Sequence, residues 1–347
     1  VDEVYLGRSG LGMSDLTDIE RIEVLQGPQG TLYGKNTNAG AIAVFTKVPN
    51  LEEFEGYAEL SVGNYDLRKL TLSATGPLGD SVAYRLSGNV HQRDGYMENA
   101  AGEDLNSADD WNVIAKLLWE PNNSWRFLLS GSHVNRNSKC CEADARQDDS
   151  VQRELAAQGF TVLPNDPRDY QVAVDVESDF ELEADALSLV IDYDRDWGAI
   201  KSITAWNDSS GSSDTDVDRS ELDIMSLLGA VSSGDSFSQE LRFSSWVGQR
   251  LDYMVGLFYY EQTTDGGDGR PYIFLGEDFL RIAGQQDIGE LLPGGLPVEF
   301  FAQAGDSISA DVELRTESSA VFGRSTLHLG ERWHLTGGLR WTDEDKY

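Results

Sequence analysis

No run of eighteen or more apolar residues occurs anywhere in the sequence, which excludes a transmembrane helix. A membrane-spanning sheet is not excluded, because strands need only about 9–11 residues with every second one apolar. Positive charge is scarce as well: 27 Lys+Arg stand against 60 Asp+Glu, a formal net charge of -33. That balance argues against a nucleic-acid partner, since phosphate binding needs a basic surface. Acidic chains without aromatic residues stay disordered, but here 10% of residues are aromatic and 40% hydrophobic, so the chain is expected to fold. Cysteine is limited to two adjacent residues, Cys140 and Cys141. Adjacent cysteines do not make a disulfide framework. They read as a vicinal pair in a loop, open to a local disulfide, with a metal site as the sharper alternative. Val1 is followed by no basic start, apolar core or cleavage site, so no signal peptide is read, and both ends look cut.

A length of 347 residues carries a soft expectation of two or three domains, and the texture changes near residue 50. Asp18–Leu25 alternates charged and apolar residues, with Ile19, Ile22, Val24 and Leu25 apolar. Gly27-Pro-Gln-Gly30 signals a turn, Gly34, Asn36 and Gly40 add chain reversals, and Ala41–Thr46 reads as a buried strand. Residues 1–50 therefore read as a small mixed α/β element, and Leu51–Glu55 as an acidic linker.

From Gly56 onward, segments of about ten residues alternate apolar and polar, as two-faced strands require. Val82, Tyr84, Leu86 and Val90 lie opposite Arg85, Ser87 and Asn89; Trp111, Val113, Ala115, Leu117 and Trp119 lie opposite Asn112 and Lys116. Eleven such segments are counted, the later ones centred near Phe127, Leu189, Ile203, Leu241, Val255, Phe322 and Leu339. Short turns at 76–80, 120–123, 194–198, 246–249 and 330–332 alternate with long polar stretches at about 94–109, 137–180, 208–235 and 264–316. Short turns at one end and long loops at the other are the habit of an outer-membrane barrel. The first hairpin, at Gly63–Asp66, is the exception. Trp111, Trp119, Trp125, Trp197, Trp333 and Trp341 sit at or near strand ends, where interfacial girdles form.

Residues 15–34, DLTDIERIEVLQGPQGTLYG, and the following KNTNAGAI to Ile42 closely resemble the plug of TonB-dependent receptors. Phe54–Tyr57, Gly63–Tyr65 and Gly76–Leu78 resemble the start of that family's barrel. The resemblance implies a mainly β chain: a partial plug domain at 1–50, then about eleven antiparallel strands of a transmembrane β-barrel at 51–347. The family's barrel has about twenty-two strands, so eleven make half, and such a half cannot satisfy its open edges in lipid alone. Gln26 and Lys35 stand where the family often has Arg; Lys keeps the charge but loses the guanidinium fork. Glu20, Arg21, Glu23 and Lys35 are expected to pair with polar groups on the barrel's inner wall.

The resemblance further implies TonB-dependent import of a scarce nutrient across the outer membrane of a Gram-negative bacterium. A ferric siderophore is the leading cargo, with cobalamin, haem or oligosaccharide behind it. Expected partners are TonB with its inner-membrane energising complex, outer-membrane lipid and lipopolysaccharide. The TonB-contacting segment lies before Val1 in the family. No cofactor is expected, iron entering only within the transported complex. Glu20, Arg21, Gly27, Gly30, Tyr33, Gly34 and Asn36 are the plug residues expected to act conformationally, and Tyr5, Arg8, Arg136 and Tyr272 are candidates for ligand contact.

Signs of other chemistry are absent. The four histidines, His91, His133, His328 and His334, form no metal-binding spacing, although His328 and His334 flank one turn and could approach each other. Asp214–Asp218 begins like a calcium loop, then has Arg219 and Met225 where Gly and Glu belong. Asp265–Gly269 reads first as a flexible acidic turn. No phosphate loop or nucleophile elbow occurs, so the chain is not expected to be an enzyme. The acidic loops either attract cationic ligands and lipopolysaccharide-bridging ions or simply solvate the surface. A passive porin explains the strands but not the plug string at 15–42.

Overall fold

The computed structural model describes residues 1–7, 17–141, 149–164, 166, 168–247, 250–267, 269–280, 302–330 and 332–347. The plug segment contributes β1 (Ile19–Gln26) and β2 (Gly40–Thr46), an antiparallel pair. The large sheet begins at β3 (Glu55–Val62) and continues through β4 (Arg68–Pro77) and β5 (Val82–Arg93). After the two-residue β6 (Glu98–Asn99) come β7 (Ala108–Asn122) and β8 (Trp125–Lys139), then helix α1 (Asp149–Gln158) and β9 (Gln171–Val172). Four long strands follow: β10 (Asp179–Arg195), β11 (Gly198–Asp216), β12 (Met225–Val247) and β13 (Leu251–Gly266). Short β14 (Pro271–Leu275) and β15 (Ser307–Ser309) precede β16 (Val312–His328) and β17 (His334–Lys346).

The main path runs β3-β4-β5-β7-β8-β10-β11-β12-β13-β16-β17, eleven strands in chain order, every neighbouring pair antiparallel. The polarity of this sheet is the reverse of a soluble domain's. On β5 the buried side chains beside the small Ala83 are Arg85, Ser87 and Asn89, at 7%, 2% and 5% exposure, while Leu86 and Val90 stand outside at 51% and 46%. The same inversion continues outside through Leu72, Leu117, Leu187, Leu241, Leu257 and Val321, all exposed. Such a face suits a surround without water, because a soluble sheet would bury its apolar side.

Aromatic rings bound the band. At the tight-turn end Trp119, Phe127, Trp125, Tyr193, Trp197, Phe243 and Tyr253 form a chain of ring contacts from 4.4 to 6.2 Å across six strands. Toward the other end Trp111 contacts His133 at 4.8 Å and Phe237 contacts Tyr259 at 6.4 Å. The eight residue steps from Trp111 to Trp119 span about 26 Å of strand, close to the apolar height of a barrel wall.

Composition misled at the loop end. Residues 208–235 read as an irregular stretch, yet β11 runs to Asp216 and β12 starts at Met225, leaving only 217–224 between them. There the strands rise beyond the apolar outer band, and polar residues on both faces, such as Ser209, Ser210, Ser212 and Ser213, leave no apolar alternation. Within 264–316 the structure adds β14, paired with β12, and β15, paired with β14; residues 281–301 lie outside the description. The stretch 137–180 supplies α1, which ends at Gly159 with φ +83°, a left-handed stop that suits glycine.

These loops interlock into a cap. Met97, Leu105, Val172 and Val174 form one small core, and β6 pairs with β9 beside it. Lys139 holds Glu103 at 2.5 Å and also Glu177. Leu155 of α1 packs on Leu222, flanked by Phe160 and Ile224. Asp278 accepts hydrogen bonds from Gln158 Nε2 at 3.1 Å and the Asp223 amide at 3.2 Å. Cys140 and Cys141, at the start of the β8–β10 loop, are joined to each other by a disulfide, so they are not free thiolates for a metal.

Two expectations follow for the sheet and its cap. Replacing Leu257 by Arg on the outer face is expected to cost about 2–4 kcal/mol in a bilayer, whereas Ser87→Thr on the inner face should cost far less; urea titration of the folded protein in lipid measures both. In the cap, burial and the neighbouring Asp218 push Asp216 up to about 8, and burial with Asp218 and Asp223 nearby pushes Asp175 up to about 6. A carboxyl raised in the folded state stabilises it while protonated. For Asp216 that contribution is complete below its ordinary 3.8 and is lost as the pH climbs through about 8. Amide exchange around Leu155, Leu222 and Ile224 should therefore quicken from pH 6 to pH 9 beyond the chemical rate, and Asp216→Asn should flatten the change.

Candidate functional site at the plug and wall interface

Many inward side chains of the sheet are polar or charged, and a charge held away from water must meet a partner. The plug segment supplies these partners. Lys116 on β7, 2% exposed in its side chain, reaches Asp2 Oδ2 at 2.9 Å and also donates to the Thr46 hydroxyl. Asp2 is fixed in turn, accepting from the Thr46 amide at 2.8 Å and its hydroxyl at 2.6 Å. Arg85 on β5 forms a two-pronged pair with Asp18, through Nε to Oδ2 and through Nη2 to Oδ1 at 2.5 Å. Ser87 donates to the same carboxylate, and Ser73 accepts from Arg85 at 3.0 Å. Asn112 donates to Asn89 at 2.9 Å, and Asn89 donates to Thr17 at 2.8 Å.

Glu3 bridges two strands, with Lys201 of β11 at 2.6 Å and Arg242 of β12 at 2.5 Å. Burial alone would raise the Glu3 and Asp18 carboxyls. The hydrogen bonds and charges of Lys201 and Arg242 for Glu3, and of Arg85 with Ser87 for Asp18, outweigh it and leave both below the ordinary range. Both acids therefore remain ionised at neutral pH and hold their wall cations in place. Beside them lies a cleft of about 160 Å³, bounded by Val4 and Leu6 on the plug side and Asn112, Ala184, Ala186 and Asn207 on the wall.

The plug loop between β1 and β2 rests on the last strands. Lys35 Nζ is 2.6 Å from Glu344 of β17 and 5.1 Å from the centre of the Tyr260 ring. One ammonium nitrogen on one carboxylate oxygen is the single-pronged contact expected of Lys in place of Arg. Tyr5 packs edge-on against Tyr260 at 5.2 Å, and Asn36, at φ +58°, donates to the Tyr5 hydroxyl at 2.8 Å. Gly34 has φ +74°, and a Cβ there would stand 3.0 Å from Arg340 Nη2. Glycine lets the wall guanidinium close over this turn.

The sequence-derived residues thus scatter over several places. Gly27, at φ +81°, sits in the turn after β1 and donates to the Ala39 carbonyl at 3.1 Å. Gly30 lies in the same loop, and Tyr33 donates its amide to Gln29 at 3.0 Å while its ring is half-exposed. Glu20 and Arg21 are on β1, where Arg21 pairs with Glu23 at 2.8 Å and Glu20 at 3.7 Å and lies 3.7 Å over the Phe45 ring. These three charges are met within the plug segment rather than by the described wall. Arg136 is on the inner wall near the loop end, 3.3 Å from Asp110, which also faces His91 at 3.5 Å. Tyr272 is in β14, within the cap. Arg8 lies outside the described residues.

Sequence reasoning missed Asp2, Glu3 and Asp18 as tethers, and Lys201 and Arg242 as their receivers. The inward register could have flagged the bases, since they share a sheet face with Arg85 and Lys116. Removing Arg85 alone (Arg85→Met) strands a buried carboxylate and is expected to cost about 3–5 kcal/mol. Adding Asp18→Leu should recover much of the loss, because the pair is then gone entirely; a double-mutant cycle in the folded protein measures the coupling.

Residues 1–41 match the TonB-dependent Receptor Plug Domain family. The metal-pseudopaline receptor CntO of Pseudomonas aeruginosa is 30% identical over 137 residues, covering 38% of this chain and 18% of that protein. The ferric yersiniabactin uptake receptor FyuA from Yersinia pestis shares the fold with a TM-score of 0.73 at 19% identity, over 95% of this chain and 45% of that one. The siderophore receptor PiuA from Acinetobacter baumannii does so with a TM-score of 0.69 at 16% identity, over 95% and 48%. The chain thus spans less than half the length of these receptors. It carries a plug-domain match at its N-terminal end and shares its fold, over nearly all of its length, with the barrels of solved receptors.

Proposed function

We propose that this chain serves in energised import of a ferric siderophore across the outer membrane of a Gram-negative bacterium. The observation that carries the reading is the tethering of a plug-matching segment to a charged inner wall, inside a sheet whose outer face is apolar. A pore meant to stay open has no use for a segment bound across its wall by Asp2, Glu3, Asp18 and Lys35. Charge pairs of this kind can be exchanged one at a time without exposing an apolar core, as a movable plug requires.

In this reading residues 1–50 form the later part of the plug and 51–347 part of the barrel, with the tight turns in the periplasm and the cap outside. TonB and its inner-membrane complex supply the work, and lipid with lipopolysaccharide surrounds the apolar band. The protein performs no covalent chemistry, and iron enters only as cargo. Gly27, Gly30, Gly34 and Asn36 set the loop conformation that Tyr33 and Tyr5 share, while Glu20 and Arg21 stiffen β1. Arg136, Tyr272, Tyr5 and Arg8 are assigned to the ligand path. Siderophore cargo is favoured by the names of the similar receptors, which include ferric yersiniabactin and metal-pseudopaline binders.

The test follows several radiolabelled ferric siderophores into iron-starved cells carrying the full-length protein, with and without a proton-gradient uncoupler. Uptake of one that the uncoupler abolishes is expected. Binding without energised uptake of any would overturn the siderophore assignment and direct the same assay to cobalamin, haem and oligosaccharides. Entry of small solutes regardless of the uncoupler would indicate a passive porin instead.

A further inference from the structure

At the tight-turn end, three inward-facing side chains from three adjacent strands meet in a row. Asp252 Oδ2 of β13 lies 2.7 Å from His328 Nε2 of β16, and His328 Nδ1 lies 2.7 Å from His334 Nδ1 of β17. His328 and His334 face each other directly across the β16–β17 ladder, flanking the turn that joins the strands. The next inward pair, Thr326 and Thr336, is in contact at 3.0 Å, which keeps the two backbones in register beneath the rings.

The carboxylate fixes how His328 holds its proton. An ionised acid only accepts, so His328 Nε2 carries the hydrogen and Nδ1 keeps its lone pair. That lone pair points at His334 Nδ1, which must therefore be the donor between the rings. A carboxylate behind one imidazole, orienting its other nitrogen outward, is the arrangement that supports a metal-bound histidine.

We propose that His328 and His334 form a two-nitrogen chelate for a divalent transition-metal ion, with Asp252 as the positioning residue behind His328. The spacing selects among metals. With metal–nitrogen bonds of about 2.0–2.1 Å, two nitrogens at a right angle stand about 2.9 Å apart, and two at a tetrahedral angle about 3.3 Å. The rings, at 2.7 Å, need open by about 0.2 Å for the first geometry and by about 0.6 Å for the second, and the His328 lone pair must swing about 45° or about 35° off the nitrogen–nitrogen line to reach a shared ion. Right-angled sites suit Cu2+ and Ni2+, whereas Zn2+ prefers the tetrahedral one. Binding is proton-neutral: the hydrogen on His334 Nδ1 moves to its Nε2, both Nδ1 lone pairs bind the ion, and water fills the remaining positions.

Among the described residues no group of three or more His, Cys, Asp or Glu is set to hold a metal, so these residues offer two nitrogens and not a closed cage. The ion would cross-link β16 to β17 and stay open to exchange. This assignment rests on the geometry of the turn end and is independent of the cargo.

The test uses the untagged full-length receptor in detergent micelles with one equivalent of Cu2+, read by electron paramagnetic resonance, and Ni2+ titrated by calorimetry. The expected spectrum shows two imidazole nitrogens, falling to one in His334→Gln. Affinity for Ni2+ should fall at least about tenfold in His328→Gln or His334→Gln. Asp252→Asn should lower it by about 10–100-fold while two nitrogens remain in the spectrum. His91→Gln, far from the turn, should change neither reading. A two-nitrogen spectrum that persists in the double variant His328→Gln/His334→Gln, or a wild-type spectrum without nitrogen coupling, would overturn the proposal.

Discussion

Lys116 carries a positive charge into the interior, where the water that would otherwise solvate it is excluded, and the rest of the arrangement follows from where its partners come from. They come from Asp2 and Thr46, residues of a segment that precedes the sheet. Arg85 repeats the pattern with Asp18, and Lys201 and Arg242 repeat it with Glu3. A wall built with inward bases is incomplete without an acidic segment against it. Wall and plug are two halves of one electrostatic structure, joined among the described residues with little shared apolar surface; Val4 against the Leu118, Leu128, Val190 and Ile203 patch and Tyr5 against Tyr260 are exceptions.

This division explains what the sequence disclosed. Strand number and direction were legible because lipid on one side and polar groups on the other impose a strict period of two, visible at Leu86/Ser87 and again at Leu117/Lys116. Girdle positions such as Trp111 and Trp119 were legible for the same reason. Where both faces of a strand carry polar residues, the period vanishes, and 208–216 was read as loop although it is strand. The tethers were the least legible part. Asp2 and Lys116 are 114 residues apart, and Glu3 and Arg242 are 239 apart. Nothing local in either stretch announces the other.

The plug motif was recognisable as a string, yet its prominent charges turned out to serve the hairpin. Arg21 is held by Glu20, Glu23 and Phe45, all near it in the chain or across one strand pair. The less conspicuous Lys35 is the loop residue that reaches the wall at Glu344. A motif identifies a family without saying which of its members carry the contact, and only the register of β17 settles that for Lys35.

The same meander that makes the sheet simple also orders its history. Each strand of the main path pairs with the neighbour before it, so the sheet can be laid down hairpin by hairpin with short loop closures. The plug tethers follow another timetable. Lys116 can receive Asp2 once β7 is placed, Lys201 and Arg242 can receive Glu3 only after β11 and β12, and Glu344 can receive Lys35 last of all. The N-terminal segment is thus a template against which each arriving strand is checked, and a strand placed out of register presents it with an apolar face instead of a charge.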